Sequence, residues 1–161
     1  MNFKFRIIIF IFTIYLFTSL CFAERIYIDH KIKPRILKLI NNAEKSIDIE
    51  MFILSDKDII KALKKASSHG VKVRIILDPH RRENHHTFDE FLNCQVKIRF
   101  YHIKRPAIFH RKFILIDSKT LLIGSFNLSY NGLENNKEIM VEIEDRKVID
   151  SIFEIFINDF H

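Results

Sequence analysis

Apolar positions along the chain alternate between a helical period and short continuous runs. Ile36, Leu37, Ile40 and Ala43 recur at helical spacing behind Pro34, which is tolerated in a first turn, so a first helix is predicted. Ser46 to Leu54 then reads as a buried strand. Ser55 with Asp58 marks a second helix start, carried by Ile59, Ile60, Leu63 and Ala66 and stopped at Gly70, after which Val71 to Leu77 is again a strand. Strand, helix, strand in that order predicts parallel pairing under covering helices.

Thr87 with Glu90 has the spacing of a capping box for a short helix through Leu92, followed by a strand from Val96 to Tyr101. Phe109 to Ile116 is a largely apolar run that reads as a strand, and Thr120 to Ile123 pairs back on it across a turn at Asp117 to Lys119. Leu128 to Asn135 is a loop or short helix, and Glu138 to Glu144 a strand. A last helix, Arg146 to Phe160, gathers Val148, Ile149, Ile152, Phe153, Phe156 and Phe160 on one side, as core packing requires. The class expected is α/β, with a mixed, largely parallel central sheet flanked by helices on both faces.

Strand alternation sorts the chemistry of the Phe109 to Ile116 segment. A period of two puts His110 and Lys112 on one face and Asp117 on the other, which makes Asp117 a support rather than a contact. The continuation of the next strand places Ser125 and Asn127 on a common side, while Gly124 lets the backbone pass close to a ligand. An imidazole, an ammonium, a hydroxyl and a carboxamide brought to one point suit a tetrahedral anion. Neutral histidine can attack phosphorus, and its protonated form can deliver a proton to a leaving oxygen. Neither a carboxylate pair nor a cysteine ligand set accompanies it, so no metal or cofactor is expected.

His110, Lys112, Asp117, Gly124, Ser125 and Asn127, spaced His-x-Lys-x4-Asp-x6-Gly-Ser-x-Asn, resemble the HKD signature of the phospholipase D superfamily. The likeness is to its small single-motif branch, which includes bacterial endonucleases and mitochondrial cardiolipin hydrolase. Ile47 to Asp78 also resembles the family's amino-terminal half, so the likeness covers most of Arg25 to Phe160. It implies a phosphodiesterase in which His110 attacks phosphorus to form a phosphohistidine and an equivalent histidine protonates the leaving oxygen. Lys112 and Asn127 match phosphate-holding positions, with Ser125 close by, and Asp117 matches the signature aspartate of the catalytic set. Asn136-Lys137-Glu138 resembles a downstream element whose acidic residue orients the histidine ring, which makes Glu138 a catalytic candidate; the alternative is an exposed residue opening the strand Ile139 to Ile143. Only one copy of the motif is present, so an isologous homodimer sharing its active site is expected.

Lys4 and Arg6 precede an apolar run from Ile7 to Phe17, and small Ala23 follows before charged Glu24 and Arg25. Residues 1–23 therefore read as a signal peptide, with an uncleaved anchor as the alternative, leaving 24–161 as a single catalytic domain. Export to a secreted or periplasmic location, or attachment to a membrane, is expected. Loss of Lys4 and Arg6 lowers the formal charge from +6 to +4 and leaves Cys94 as a lone thiol, read as a small core hydrophobe rather than an intersubunit bridge. His80 to His86 and His102 to Arg105 are basic loops that fit a polyanion. That tilts the substrate toward nucleic acid. Tyr101, Ile103, Ile108 and Phe109 keep a phospholipid substrate and contact with a membrane surface in play, and a non-catalytic polyanion-binding module is the rival from another class. Zinc at His80, His85 and His86 lacks a recognisable ligand spacing.

Overall fold

The computed structural model describes residues 24–161, so the signal peptide or anchor expected at 1–23 lies outside the described residues. The elements in chain order are β1 (Arg25–Ile28), α1 (Ile32–Asn41), β2 (Ser46–Met51), α2 (Lys57–Ser68), β3 (Lys72–Leu77), α3 (Arg82–Phe91), β4 (Lys97–Phe100), β5 (Lys112–Ile116), β6 (Thr120–Gly124), β7 (Ile139–Ile143) and α4 (Arg146–Phe160). The seven strands form one sheet in the order β1-β7-β6-β5-β2-β3-β4.

The mixed α/β class holds, and the pairing shows where each direction lies. Strand β3 pairs in parallel with β2 and β4, because helical connections return the chain to the same edge each time. The contacts of β2 with β5, β5 with β6, β6 with β7 and β7 with β1 are antiparallel, so parallel pairing is confined to the β2–β3–β4 side. The edge strand β1 leaves almost no period-two signal in the sequence, since only one of its four residues is even half-buried.

Alternation along β2 sends Ile47, Ile49 and Met51 to one face, where α1 and α2 bury Ile32, Ile36, Ile40, Ile59 and Leu63 against them. The opposite face carries Ile76, Phe113, Leu115 and Leu121 under Ile149, Phe156 and Phe160 of α4. Each such apolar side chain contributes about 1.5–3 kcal/mol when fully buried. Asp48 also points into this second layer, where Arg74 donates to it at 2.6 and 2.8 Å and lies against the rings of Phe153, Phe156 and Phe160. A buried pair of this kind is tolerable because its geometry is bidentate.

Two helix starts differ from the sequence reading. Asp56, rather than Ser55, caps α2, accepting from the N–H groups of Asp58 and Ile59 at 3.1 Å. Thr87 does not cap a helix; it lies inside α3 and donates to the carbonyl of Leu54 at 2.5 Å. Both sites share the short polar residue that capping needs, and only the tertiary contact decides which is used.

Candidate active site

Antiparallel pairing of β5 with β2 brings the entry to β5 to the carboxyl ends of β2 and β3, with Met51 opposite Lys112. Open α/β sheets place ligands at this edge. Gly124, at the end of β6, lies across from Met140, and a Cβ there would collide with the carbonyl oxygen of Ile139. Only glycine lets β6 and β7 approach so closely, which brings Ser125 and Glu138 to the same end of the sheet.

His110 is exposed just ahead of β5, and Lys112 is buried on the first turn of the strand's alternation. The Lys112 ammonium stands 3.0 Å from each ring nitrogen of His110 and donates to the His110 carbonyl at 3.0 Å. The pairing expected from alternation is therefore present. Partial burial, followed by the charge of Lys112, lowers the His110 pKa from its ordinary value, while Asp78 opposes the shift. Burial also lowers the Lys112 pKa, against the attraction of Glu138. Phe52 meets the His110 ring edge-on with centroids 4.6 Å apart and packs beneath Lys112.

Asp117 does not belong to this cluster. It sits beyond the far end of β5, in the left-handed region at φ 54°, and its carboxylate accepts from the N–H groups of Glu44, Lys45 and Ser46 at 2.7–3.3 Å. Burial alone would raise its pKa; these backbone donors hold it below the usual carboxylate value. Its place in the catalytic set is corrected to that of a clamp fixing the loop before β2, as the alternation argument required.

Glu138 is at the right end of the sheet but its contacts differ from the expectation. Its carboxylate accepts from the Ser125 hydroxyl and from Asn136 Nδ2 at 3.1 Å, and among the described residues no hydrogen bond links it to His110. The residue follows the β6–β7 close approach, so it faces Ser125 instead of the imidazole. Within one chain it holds Ser125 and offers negative charge near Lys112.

Asn127 is fixed by its backbone. A helical turn at Asn131–Asn135 packs against it so tightly that a Cβ on Gly132 would strike the Asn127 carbonyl oxygen, and Leu128 O accepts from Ser55 and Asp56 at 2.8 and 2.9 Å. The buried Asn127 Oδ1 has no hydrogen-bond partner among the described residues. Its carboxamide lines an open cavity with Ser129, Tyr130 and Arg81.

Residues the sequence reading passed over complete the frame. Asp78 is buried, accepting from Phe109 N at 2.7 Å and His80 N at 2.8 Å, so it pins the approach to His110. Asn84 joins the same strand ends, accepting from Leu54 N and donating to Phe52 O and Asp78 O at 2.9–3.0 Å. Polar residues that end a strand or begin a helix were the signal available for both. The histidines weighed for zinc diverge: His85 bonds Pro79 O at 2.8 Å and stacks on Phe100, while His86 accepts from Arg82 at 3.3 Å.

Comparison with known proteins agrees with this architecture. The model of a cardiolipin synthase, phospholipase D-like domain matches residues 36–160. Phospholipase D of Rickettsia prowazekii is 38% identical over 117 residues, covering 72% of this chain and 56% of its own length. Mitochondrial cardiolipin hydrolase of Chlamydomonas reinhardtii is 32% identical over 126 residues, covering 76% and 54%. The chain thus spans a little over half the length of the curated relatives it matches. Nuc of Salmonella typhimurium, a phospholipase D family member, superposes with a TM-score of 0.76 at 25% identity, covering 85% of this chain and 94% of that one. Because the matched span carries β5, β6 and β7 together with the His110 to Asn127 motif, the chain belongs to the phospholipase D-like family.

Proposed function

We propose that this protein hydrolyses phosphodiesters through a phosphohistidine on His110, with nucleic acid as the substrate. The observation that carries the reading is the exposed His110 ring, biased toward its neutral form, beside the buried ammonium of Lys112. A ring-nitrogen lone pair forms a P–N bond as the P–O bond to the leaving group breaks, and a protonated histidine gives that oxygen its proton. Water then attacks phosphorus, the now-neutral second histidine takes the water's proton, and the P–N bond breaks. Lys112, Ser125 and Asn127 hold the non-bridging oxygens, and Glu138 and Asp117 position their neighbours.

A second imidazole serves as the acid in this reading, and among the described residues no other histidine contacts His110. A homodimer in which His110 of a second copy faces the first supplies it, and two-fold symmetry lets each ring take either role. Export, directed by residues 1–23, or anchoring by them, belongs to the same proposal; no helix among the described residues is long and apolar enough to cross a membrane.

Arg81 and Arg105 beside the site support a polyanionic substrate. Relatives named phospholipase D and cardiolipin hydrolase support phospholipid as the second reading, together with exposed Ile108 and Tyr130 near the site. Hydrolysis of plasmid DNA, RNA, phosphatidylcholine and cardiolipin in parallel, in excess chelator and with His110→Ala as control, tests the whole reading. Turnover on a nucleic acid that vanishes in the variant is expected. Preferential lipid turnover would reverse the substrate, and equal, negligible turnover by both proteins would leave a polyanion-binding module.

A further inference from the structure

Two open cavities lie beside the site, one at Phe52 and one at Asn127, and Arg81 lines both. The first, about 490 Å³, lies among Phe52, His80, Arg81, Arg105 and Ile108, and the second, about 390 Å³, among Ser55, Arg81, Glu83, Asn127 and Tyr130. Phe52 connects them to the chemistry: its ring has the Arg81 guanidinium 5.1 Å from its centroid and the Lys112 ammonium at 5.5 Å. Sharing one ring, the two cations lie within about 11 Å of each other, a span on the scale of consecutive phosphodiesters of one strand.

Arg81 also has donors to spare. Its Nε is buried without a hydrogen-bond partner among the described residues, as is His80 Nε2, and its one ion pair is with Glu83 at 3.2 Å on the surface. Such an exposed pair is weak enough for a phosphate to displace, and a guanidinium presents the fork that phosphate oxygens fit. Tyr130, 65% exposed beside Asn127, leaves an aromatic face on which a base can stack.

We propose that Arg81 binds the phosphodiester adjacent to the scissile one, so that the enzyme selects a strand with consecutive phosphates, a nucleic acid, over a diester that stands alone. This rests on the reading of His110 as nucleophile. The second cavity is lined mainly by hydroxyl, carboxamide and charged groups, which favours a sugar–phosphate chain over acyl chains. A diphosphorylated lipid would share the two-phosphate chemistry, and the experiment separates it.

The test uses p-nitrophenyl esters of thymidine phosphate and of a thymidine dinucleotide, made as both 3′ and 5′ esters, because release of nitrophenolate fixes which bond breaks. A further pair carries a neutral methylphosphonate at the internal linkage. The second phosphate is expected to raise kcat/KM about tenfold or more, and the methylphosphonate to abolish that gain. Arg81→Gln should lose the gain, Arg81→Lys should keep only part of it, and the surface variant Lys147→Gln, outside both cavities, should retain it; thermal melting verifies that each is folded. An equal gain in Arg81→Gln, or no gain in the unaltered protein, overturns the proposal.

Calorimetric binding of the same dinucleotides to His110→Asn reads the contact without turnover. Arg81-dependent preference for the charged linkage, with no turnover by the unaltered protein, would sink the nucleophile reading alone. A preference that survives removal of Arg81 would sink this one. Arg81-dependent selection of cardiolipin over phosphatidylglycerol vesicles, with none among dinucleotides, would overturn the nucleic-acid assignment.

Discussion

The Lys112 ammonium is equidistant from the two ring nitrogens of His110, at 3.0 Å each. One atom cannot lie on both lone-pair axes, so the ammonium rests against the ring and leaves a nitrogen lone pair open to phosphorus. Burial and this cation both favour neutral imidazole. The His110 signal followed by NMR should therefore titrate below the ordinary 6.5, and Lys112→Met should move it upward. A midpoint unchanged by the substitution would separate the two residues electrostatically.

Removing the cation should also cost rate. Lys112→Ala takes away a preorganised donor from the charge that develops on phosphoryl oxygens, and a loss of about a hundredfold or more in kcat is expected. Near-normal turnover of the folded variant would remove Lys112 from the site.

Behind the site, Glu50 is buried with Oε1 unpartnered and Oε2 accepting from Arg111 at 3.0 Å. Burial, outweighing Arg111, pushes its pKa from 4.5 up to about 7. Between those values the folded protein keeps a proton that the unfolded chain has released, so this group's contribution to stability falls as pH rises through the window and stays lost above it. Glu50→Gln should melt higher than the parent at pH 8, by on the order of 2–3 kcal/mol at most, with the difference fading toward pH 5. A difference independent of pH would show that Glu50 is ionised throughout.

Asp117 tests the division between clamp and chemistry. Asp117→Ala strands three backbone N–H groups and should lower stability by about 1–3 kcal/mol, measured by denaturant unfolding. At a temperature where the variant is folded, its single-turnover rate should stay within a few-fold of the parent. A loss like that of Lys112→Ala would return Asp117 to the catalytic set.

The linear part of the site was legible because it depends on spacing. Two-residue alternation brought His110 to Lys112, and the same rule sent Asp117 away. The Ser125 partner of Glu138 was not legible, because the close β6–β7 approach at Gly124 brings the two together. Asp78, Asn84, Phe52 and Arg81 gain their meaning from contacts between segments distant in the chain, such as Phe109 N to Asp78 across 31 residues. The helices and the β5–β6 hairpin declared themselves through local periodicity, whereas the antiparallel return of β5 onto β2 is long-range pairing that no local pattern encodes.

The central claim is that His110 itself becomes phosphorylated. Rapid mixing with a phosphorus-labelled diester, alkaline quenching and peptide mapping should place an acid-labile label on His110, with none in His110→Asn. Steady turnover by the parent protein with no label at any time point, or turnover retained by His110→Asn, would contradict it.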